Sequence, residues 1–262
     1  MKPLWIGTLL FTLALGAANA AVVTKEIDYT VDGTTLKGYL AYDDAVKGAR
    51  PGVLVVHEWW GMNDYARKRA RMLAELGYTA FALDMYGDGK RAHHPDEAGK
   101  FSSEVMKNQE LARARFNAAL EVLRKEKTVD PQRVAAIGYC FGGAVALQMA
   151  RYGTDLAGVV SFHGNLAPVS PAEPGAVRAK LLVLTGGDDP FVPAEQVEQF
   201  RQEMDTAKAD YRVIVYPGAR HSFTSPEADK YGKEFNLPLA YDKAADAASW
   251  KEMQDFFDQV FK

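Results

Sequence analysis

The only cysteine among 262 residues, Cys140, lies in the run Val134-Ala135-Ala136-Ile137-Gly138-Tyr139-Cys140-Phe141-Gly142-Gly143-Ala144-Val145. An apolar, β-rich stretch leads into a glycine, a nucleophile, two more glycines and a helix-forming segment. This is the G-x-S-x-G elbow with cysteine in the serine position. The glycines have a mechanical reason, because the nucleophile rides a strained, tight turn where side chains two residues to either side would strike neighbouring backbone. The helix that follows points its amino end at Cys140, and that dipole favours a thiolate. The bland reading is a glycine-rich turn that merely joins strand to helix, with Cys140 a buried free thiol.

A thiolate acting on an acyl carbon needs a base and a group to orient that base. Both follow in the chain, acid first and histidine second. Segment 181–185 reads as a strand, and the loop after it, Gly186-Gly187-Asp188-Asp189-Pro190-Phe191-Val192-Pro193, offers two carboxylates. Asp189 is the expected partner of the imidazole, and Asp188 is assigned the helix cap near Pro193. Segment 211–216 leads into Pro217-Gly218-Ala219-Arg220-His221-Ser222-Phe223, which places His221 after the last strand as general base. Glu58 directly follows the apolar run 52–56 and precedes Trp59-Trp60-Gly61. It is either a loop carboxylate or part of the site, and the elbow favours the second. The backbone N–H groups of Trp59 and Phe141 are the expected oxyanion-hole donors, and one of Trp59 and Trp60 is expected to be a core aromatic. His93 and His94 stand in a polar loop without a spaced third zinc ligand and read as surface residues. His163 ends a strand and His57 adjoins Glu58; sequence assigns neither a role.

These residues need a scaffold, and the hydrophobic pattern supplies one. After two alternating segments, 22–31 and 34–41, come short apolar β-rich runs at 52–56, 78–83, 134–138, 158–162, 181–185 and 211–216. Such runs suit strands buried on both faces. Helical spacing marks 64–76, 101–125, 142–151, 194–207 and 244–261. The alternation predicts a mostly parallel sheet wrapped by helices in a single α/β domain over residues 21–262. In an open α/β sheet the ligand crevice lies beyond the carboxyl ends of the strands, and the candidate residues follow those ends.

Composition sets the outer bounds. With 48% hydrophobic and 25% charged residues the chain is ordinary globular material, and a formal charge of −3 without a long basic run gives no electrostatic grip on nucleic acid. A chain of this length buries about 70–75% of its unfolded surface, so it needs neither disulfides nor metal to fold. Residues 1–20 read as a secretory signal: Lys2, an apolar stretch from Leu4 to Leu15, then Gly16 and Ala17-Ala18-Asn19-Ala20 with cleavage after Ala20. The competing reading, an uncleaved membrane anchor, needs a span of roughly 20 apolar residues that this stretch does not reach. The mature protein is therefore expected to be exported, periplasmic or secreted, with no stable membrane insertion. In an oxidising compartment an unpaired Cys140 is either buried or functional.

Five motifs together resemble the dienelactone hydrolase family: Val55-Val56-His57-Glu58-Trp59-Trp60-Gly61-Met62-Asn63, Leu83-Asp84-Met85-Tyr86, Gly138-Tyr139-Cys140-Phe141-Gly142-Gly143, Gly186-Gly187-Asp188-Asp189-Pro190-Phe191-Val192-Pro193 and His221-Ser222-Phe223. The resemblance implies an α/β-hydrolase fold, Cys140 as nucleophile with Asp189 and His221 as partners, and Glu58 as a carboxylate that helps deprotonate the thiol when substrate binds. It implies no metal and no organic cofactor. Asp84 and Tyr86 read mainly as support for a strand end. The family members that cleave dienelactones hold the substrate carboxylate with arginines, and this chain departs from them. Ser225 stands at one of those positions, and between Ala92 and Met106 the only basic side chain apart from the two histidines is Lys100. Lysine and serine do not reproduce a bidentate guanidinium grip. The expected activity is thus cleavage of a small-molecule ester, lactone or thioester. The competing classes are an exported thiol redox protein and a non-catalytic binding module that keeps the elbow as scaffold.

Overall fold

The β-branched and aliphatic runs of β3 to β7 become strands because both of their faces have helices to bury against, whereas the edge strands β1 and β8 are only half-buried. The structure is a computed structural model describing residues 22–262, so the expected leader and its cleavage site lie outside the described residues. The strands are β1 (Val22–Val31), β2 (Thr34–Asp43), β3 (Arg50–Val56), β4 (Thr79–Leu83), β5 (Val129–Tyr139), β6 (Gly158–Phe162), β7 (Lys180–Gly186) and β8 (Tyr211–Tyr216). They form one 8-stranded sheet in the order β1-β2-β4-β3-β5-β6-β7-β8 among the described residues. The pairings from β4 through β8 are parallel, while β1 and β2 form an antiparallel hairpin joined antiparallel to β4.

The helices are α1 (Asp64–Glu75), α2 (Pro95–Lys107), α3 (Gln109–Arg124), α4 (Phe141–Arg151), α5 (Ala194–Thr206), α6 (Ala228–Phe235) and α7 (Lys243–Val260). Successive strand residues point to opposite faces, and two cores result. Leu54, Ala136 and Val159 pack with Phe116, Met149 and Phe200 from α3, α4 and α5. Val53, Val55, Ile137 and Val160 pack with Leu73 of α1 and with Met253 and Phe257 of α7. Among the described residues no helix is long and apolar enough to cross a membrane.

Register positions the site. Val56 pairs with both Leu83 and Gly138, Gly138 with Ser161, and Phe162 with Leu184. The strands therefore end level with one another, and His57, Asp84, Cys140 and His163 emerge along one edge of the sheet.

Two differences from the sequence pattern have physical causes. The helical stretch expected over 101–125 is two helices. Asn108 ends α2 and caps α3, its side chain accepting from the Leu111 N–H at 3.0 Å. The first of the pair also begins earlier, at Pro95, where a proline at the start and Asp96 and Glu97 in the first turn suit a helix amino end. Helix α6 has no counterpart in the periodicity. It is a short lysine-rich turn whose aromatic residues, Tyr231 and Phe235, rest on Trp60.

Candidate active site

The turn after β5 is as tight as the glycine spacing requires. Cys140 adopts φ 52° and ψ −117°, a conformation L residues rarely occupy and one that costs about 1–3 kcal/mol. A Cβ on Gly138 would overlap the Gly142 carbonyl, and one on Gly142 would overlap the Val56 carbonyl, so β3, β5 and α4 meet with no room for side chains. The strained residue is held from beneath. Its N–H donates to the Phe162 carbonyl at 3.0 Å and to His163 Nδ1 at 3.1 Å. Cys140 is the N-cap residue of α4 but makes no side-chain cap bond.

His221 Nε2 lies 3.0 Å from Cys140 Sγ, and His221 Nδ1 lies 2.8 Å from Asp189 Oδ2. The other oxygen of Asp189 accepts from the Phe191 N–H at 2.8 Å, which fixes the carboxylate's orientation. Asp189 and His221 are both buried, and Cys140 is half-buried. Burial opposes the imidazolium, yet a thiolate at Cys140 and the Asp189 carboxylate outweigh it and push His221 up to about 10. The arrangement can hold a proton on His221 beside a sulfur nucleophile.

Glu58 is buried and contacts the histidine loop at Ser222. Its Oε1 accepts from Ser222 Oγ at 3.1 Å, and burial raises it to about 7 against the opposing pull of His221, Ser222 and Arg69. Its hydrogen-bond partner among the described residues is thus the neighbour of His221 rather than the thiol.

Trp59 and Phe141 both border the same cavity as Cys140 and His221. Phe141 N–H, at the start of α4, has no partner within its own helix. Among the described residues neither its amide nor that of Trp59 donates to a protein acceptor. Tyr86 Oη donates to the Trp59 carbonyl at 2.9 Å and so anchors the loop that presents this amide. Trp60, at 3% exposed, is the core aromatic of the pair.

Asp84 supports the β4 end, as the sequence suggested: its two oxygens accept from the N–H groups of Lys37, Tyr86, Gly87 and Gly89. His93 and His94 lie at the surface, where His94 caps α2. Asp188 does not cap a helix. Pro193 is the N-cap of α5, and the Asp188 N–H instead donates to the Ala219 carbonyl at 3.0 Å, five residues short of the helix, with its side chain exposed. Ser225 is buried in the turn before α6, its N–H donating to the Ser222 carbonyl, and neither it nor Lys100 borders the cavity.

Roles for the two unassigned histidines emerge from contacts invisible in sequence. His57 Nδ1 donates to the Glu58 carbonyl at 2.5 Å and its Nε2 accepts from the Met85 N–H at 3.2 Å, which ties the ends of β3 and β4 together. Burial first, then the charges of His221 and Arg69, hold His163 well below the usual imidazole range. Neutral and accepting at Nδ1, it donates from Nε2 to Thr224 Oγ1 at 2.8 Å. Thr224 in turn pairs with Tyr65 Oη, and its carbonyl accepts from the buried Arg69. Phe191, Met106, Leu237 and Leu239 complete the cavity walls. Among the described residues no group of three or more His, Cys, Asp or Glu side chains is placed to share a metal ion.

Parallel strands carrying a cysteine elbow, followed by an acid loop and a histidine loop, define an α/β-hydrolase, and solved structures of that fold superpose on this one. A dienelactone hydrolase-like promiscuous phosphotriesterase from metagenomic libraries is 38% identical, covers 92% of this chain and 100% of its own, and aligns with a TM-score of 0.87. A dienelactone hydrolase candidate from Klebsiella pneumoniae is 25% identical over 91% of this chain and 99% of its own, with a TM-score of 0.74. The chain matches the dienelactone hydrolase family over residues 36–261 and belongs to it. A Yersinia pestis protein described as a candidate carboxymethylenebutenolidase is 30% identical, covering 87% of this chain and 85% of that protein. This protein is accordingly a hydrolase acting on ester bonds.

Proposed function

We propose that the protein cleaves small-molecule esters, lactones or thioesters through an acyl-enzyme on Cys140. The observation that carries this reading is the unbroken hydrogen-bond chain Cys140–His221–Asp189 opening onto a cavity. His221 takes the thiol proton, and the sulfur attacks the carbonyl carbon. As the S–C bond forms, negative charge moves to the carbonyl oxygen, where the free N–H groups of Trp59 and Phe141 receive it. Collapse breaks the bond to the leaving group, which takes the proton from His221 Nε2. Water then attacks the thioester while His221 accepts its proton, and the acid departs as the thiol is restored. Asp189 keeps Nδ1–H in place throughout. Glu58, buried and titrating near neutrality, assists deprotonation of the thiol once substrate displaces water. We further propose that residues 1–20 direct export and are removed after Ala20, which places the activity in the periplasm or outside the cell.

Intact-protein mass spectrometry tests the mechanism. The purified protein is quenched seconds after mixing with a panel of esters, lactones and thioesters, beside Cys140→Ser and His221→Ala. A neutral phosphotriester joins the panel because the 38% identical neighbour is described as a promiscuous phosphotriesterase. An acyl adduct on Cys140 that clears in the wild type and persists in His221→Ala is expected. No adduct and no product, with ready oxidation of Cys140 by peroxide, would replace this reading with a thiol redox role.

A further inference from the structure

Resting on the acyl-transfer reading above, we infer that the substrates are uncharged acyl compounds carrying an apolar chain or ring, and that a carboxylate-bearing ester is discriminated against. The cavity beside Cys140 encloses about 360 Å³. That is toward the small end of the ~300–1,000 Å³ in which proteins bury small molecules. Its walls are Trp59, Met106, Phe191, Leu237 and Leu239, and its polar side chains, Ser102, Ser103 and Asn165, offer hydroxyl and amide groups but no cation. Ser103 and Asn165 are exposed and stand where the cavity meets solvent.

The ionisable groups bordering the cavity are Cys140 and His221, and the charge of His221 is already engaged by Asp189. Behind His221 lie His163, buried and neutral with its ring 5.3 Å from that of His221, and the buried acid Glu58, which accepts from Ser222. An anionic group drawn into this space would shed water with no guanidinium or ammonium among the described lining residues to replace it. Burying such a charge unpaired is costly, whereas burying methylenes is favourable.

The test uses two substrates that differ only at the chain end, p-nitrophenyl hexanoate and mono-p-nitrophenyl adipate, with the acetate and butyrate esters as a length series. At roughly 0.8 kcal/mol per buried methylene, kcat/KM is expected to rise by up to about fourfold per methylene until the cavity is full. The adipate monoester is expected to fall at least about tenfold below the hexanoate. Ser103→Arg, a substitution at an exposed helix position, should narrow that gap severalfold, and about 0.5 M salt should reopen part of it. Equal or faster turnover of the adipate monoester by the wild type, or the absence of any rise with chain length, overturns the inference while leaving the acyl-enzyme reading intact. Failure of every ester, charged or neutral, to react at Cys140 overturns both.

Discussion

Glu58 offers a quantitative check on how the site handles charge, because its environment and its chemistry pull in opposite directions. It is 4% exposed, with a single side-chain hydrogen bond among the described residues, from Ser222. Burial moves its pKa from the ordinary 4.5 to about 7. At ~1.4 kcal/mol per pH unit, carrying this carboxylate ionised costs the folded state about 3 kcal/mol. The sign follows from proton counting. Between pH 4.5 and 7 the folded chain holds a proton that the unfolded chain has released, so stability falls as pH rises through that window and levels off above it. Glu58→Gln keeps the shape and can still accept from Ser222, but carries no charge. Stability of wild type relative to Glu58→Gln, measured by urea unfolding, should therefore drop by about 3 kcal/mol between pH 4.5 and pH 8. For a domain of this size that corresponds to about 6–12 °C in Tm. Titrating groups remote from Glu58 are shared by the two proteins and cancel in the comparison, while His221 and Glu227, which feel its charge, contribute smaller differences. Parallel stabilities across that range would show that Glu58 is ionised at little cost and that burial does not govern it.

Two further substitutions probe the remaining machinery. Asp189→Asn replaces an acceptor at 2.8 Å from His221 Nδ1 with a group that can donate. The imidazole then loses a charge-assisted bond worth about 1.5–3 kcal/mol and can adopt the wrong tautomer. Steady-state kcat/KM on a neutral ester should fall about 10²- to 10⁴-fold with unchanged far-UV circular dichroism, and a fall of less than threefold would remove Asp189 from the mechanism. Gly142→Ala places a methyl group against the Val56 and His57 carbonyls, which are backbone and cannot swing aside. Chemical unfolding should register a loss of at least about 2 kcal/mol, and wild-type stability would mean the elbow is looser than its geometry indicates.

The contrast between what sequence discloses and what it conceals follows the range of the interactions. Gly138 and Gly142 are legible from their spacing about Cys140, but only the crowding of Gly138 by Gly142 is local; Gly142 is crowded by the Val56 and His57 carbonyls, distant in sequence. Asp189 and His221 are legible because each sits in the loop after an apolar β-rich run, although the run before His221 forms the edge strand β8, which is only half-buried rather than buried on both faces. Helix α2 carried its start signal openly in Pro95, Asp96 and Glu97, and its end in Asn108, but a continuous apolar spacing across 101–125 masks the break. Phe191, Leu237 and Leu239 are silent in sequence, since nothing local says that the segment after α6 returns to the cavity. The part played by His163 depends on register alone. Phe162 must pair level with Tyr139 before the next residue can reach the Cys140 amide.

That return of the chain after α6 has a consequence for how the enzyme can be altered. Leu239 forms a bridge with His221, and the Ala240 N–H donates to the His221 carbonyl at 3.2 Å. The stretch that closes one wall of the cavity is thus stitched to the backbone of His221, the proposed base. Ser102, Ser103 and Met106, which also line the cavity, ride on α2, whose contact with the site runs through Tyr86 on Phe101 rather than through the backbone of His221. Variation at 237–239 alters selectivity and rate together, whereas variation at the exposed Ser103 of α2, away from the Tyr86 contact, can reshape the chamber with less effect on rate. Directed evolution toward new esters should therefore gather its early mutations on α2 and reach Leu239 late.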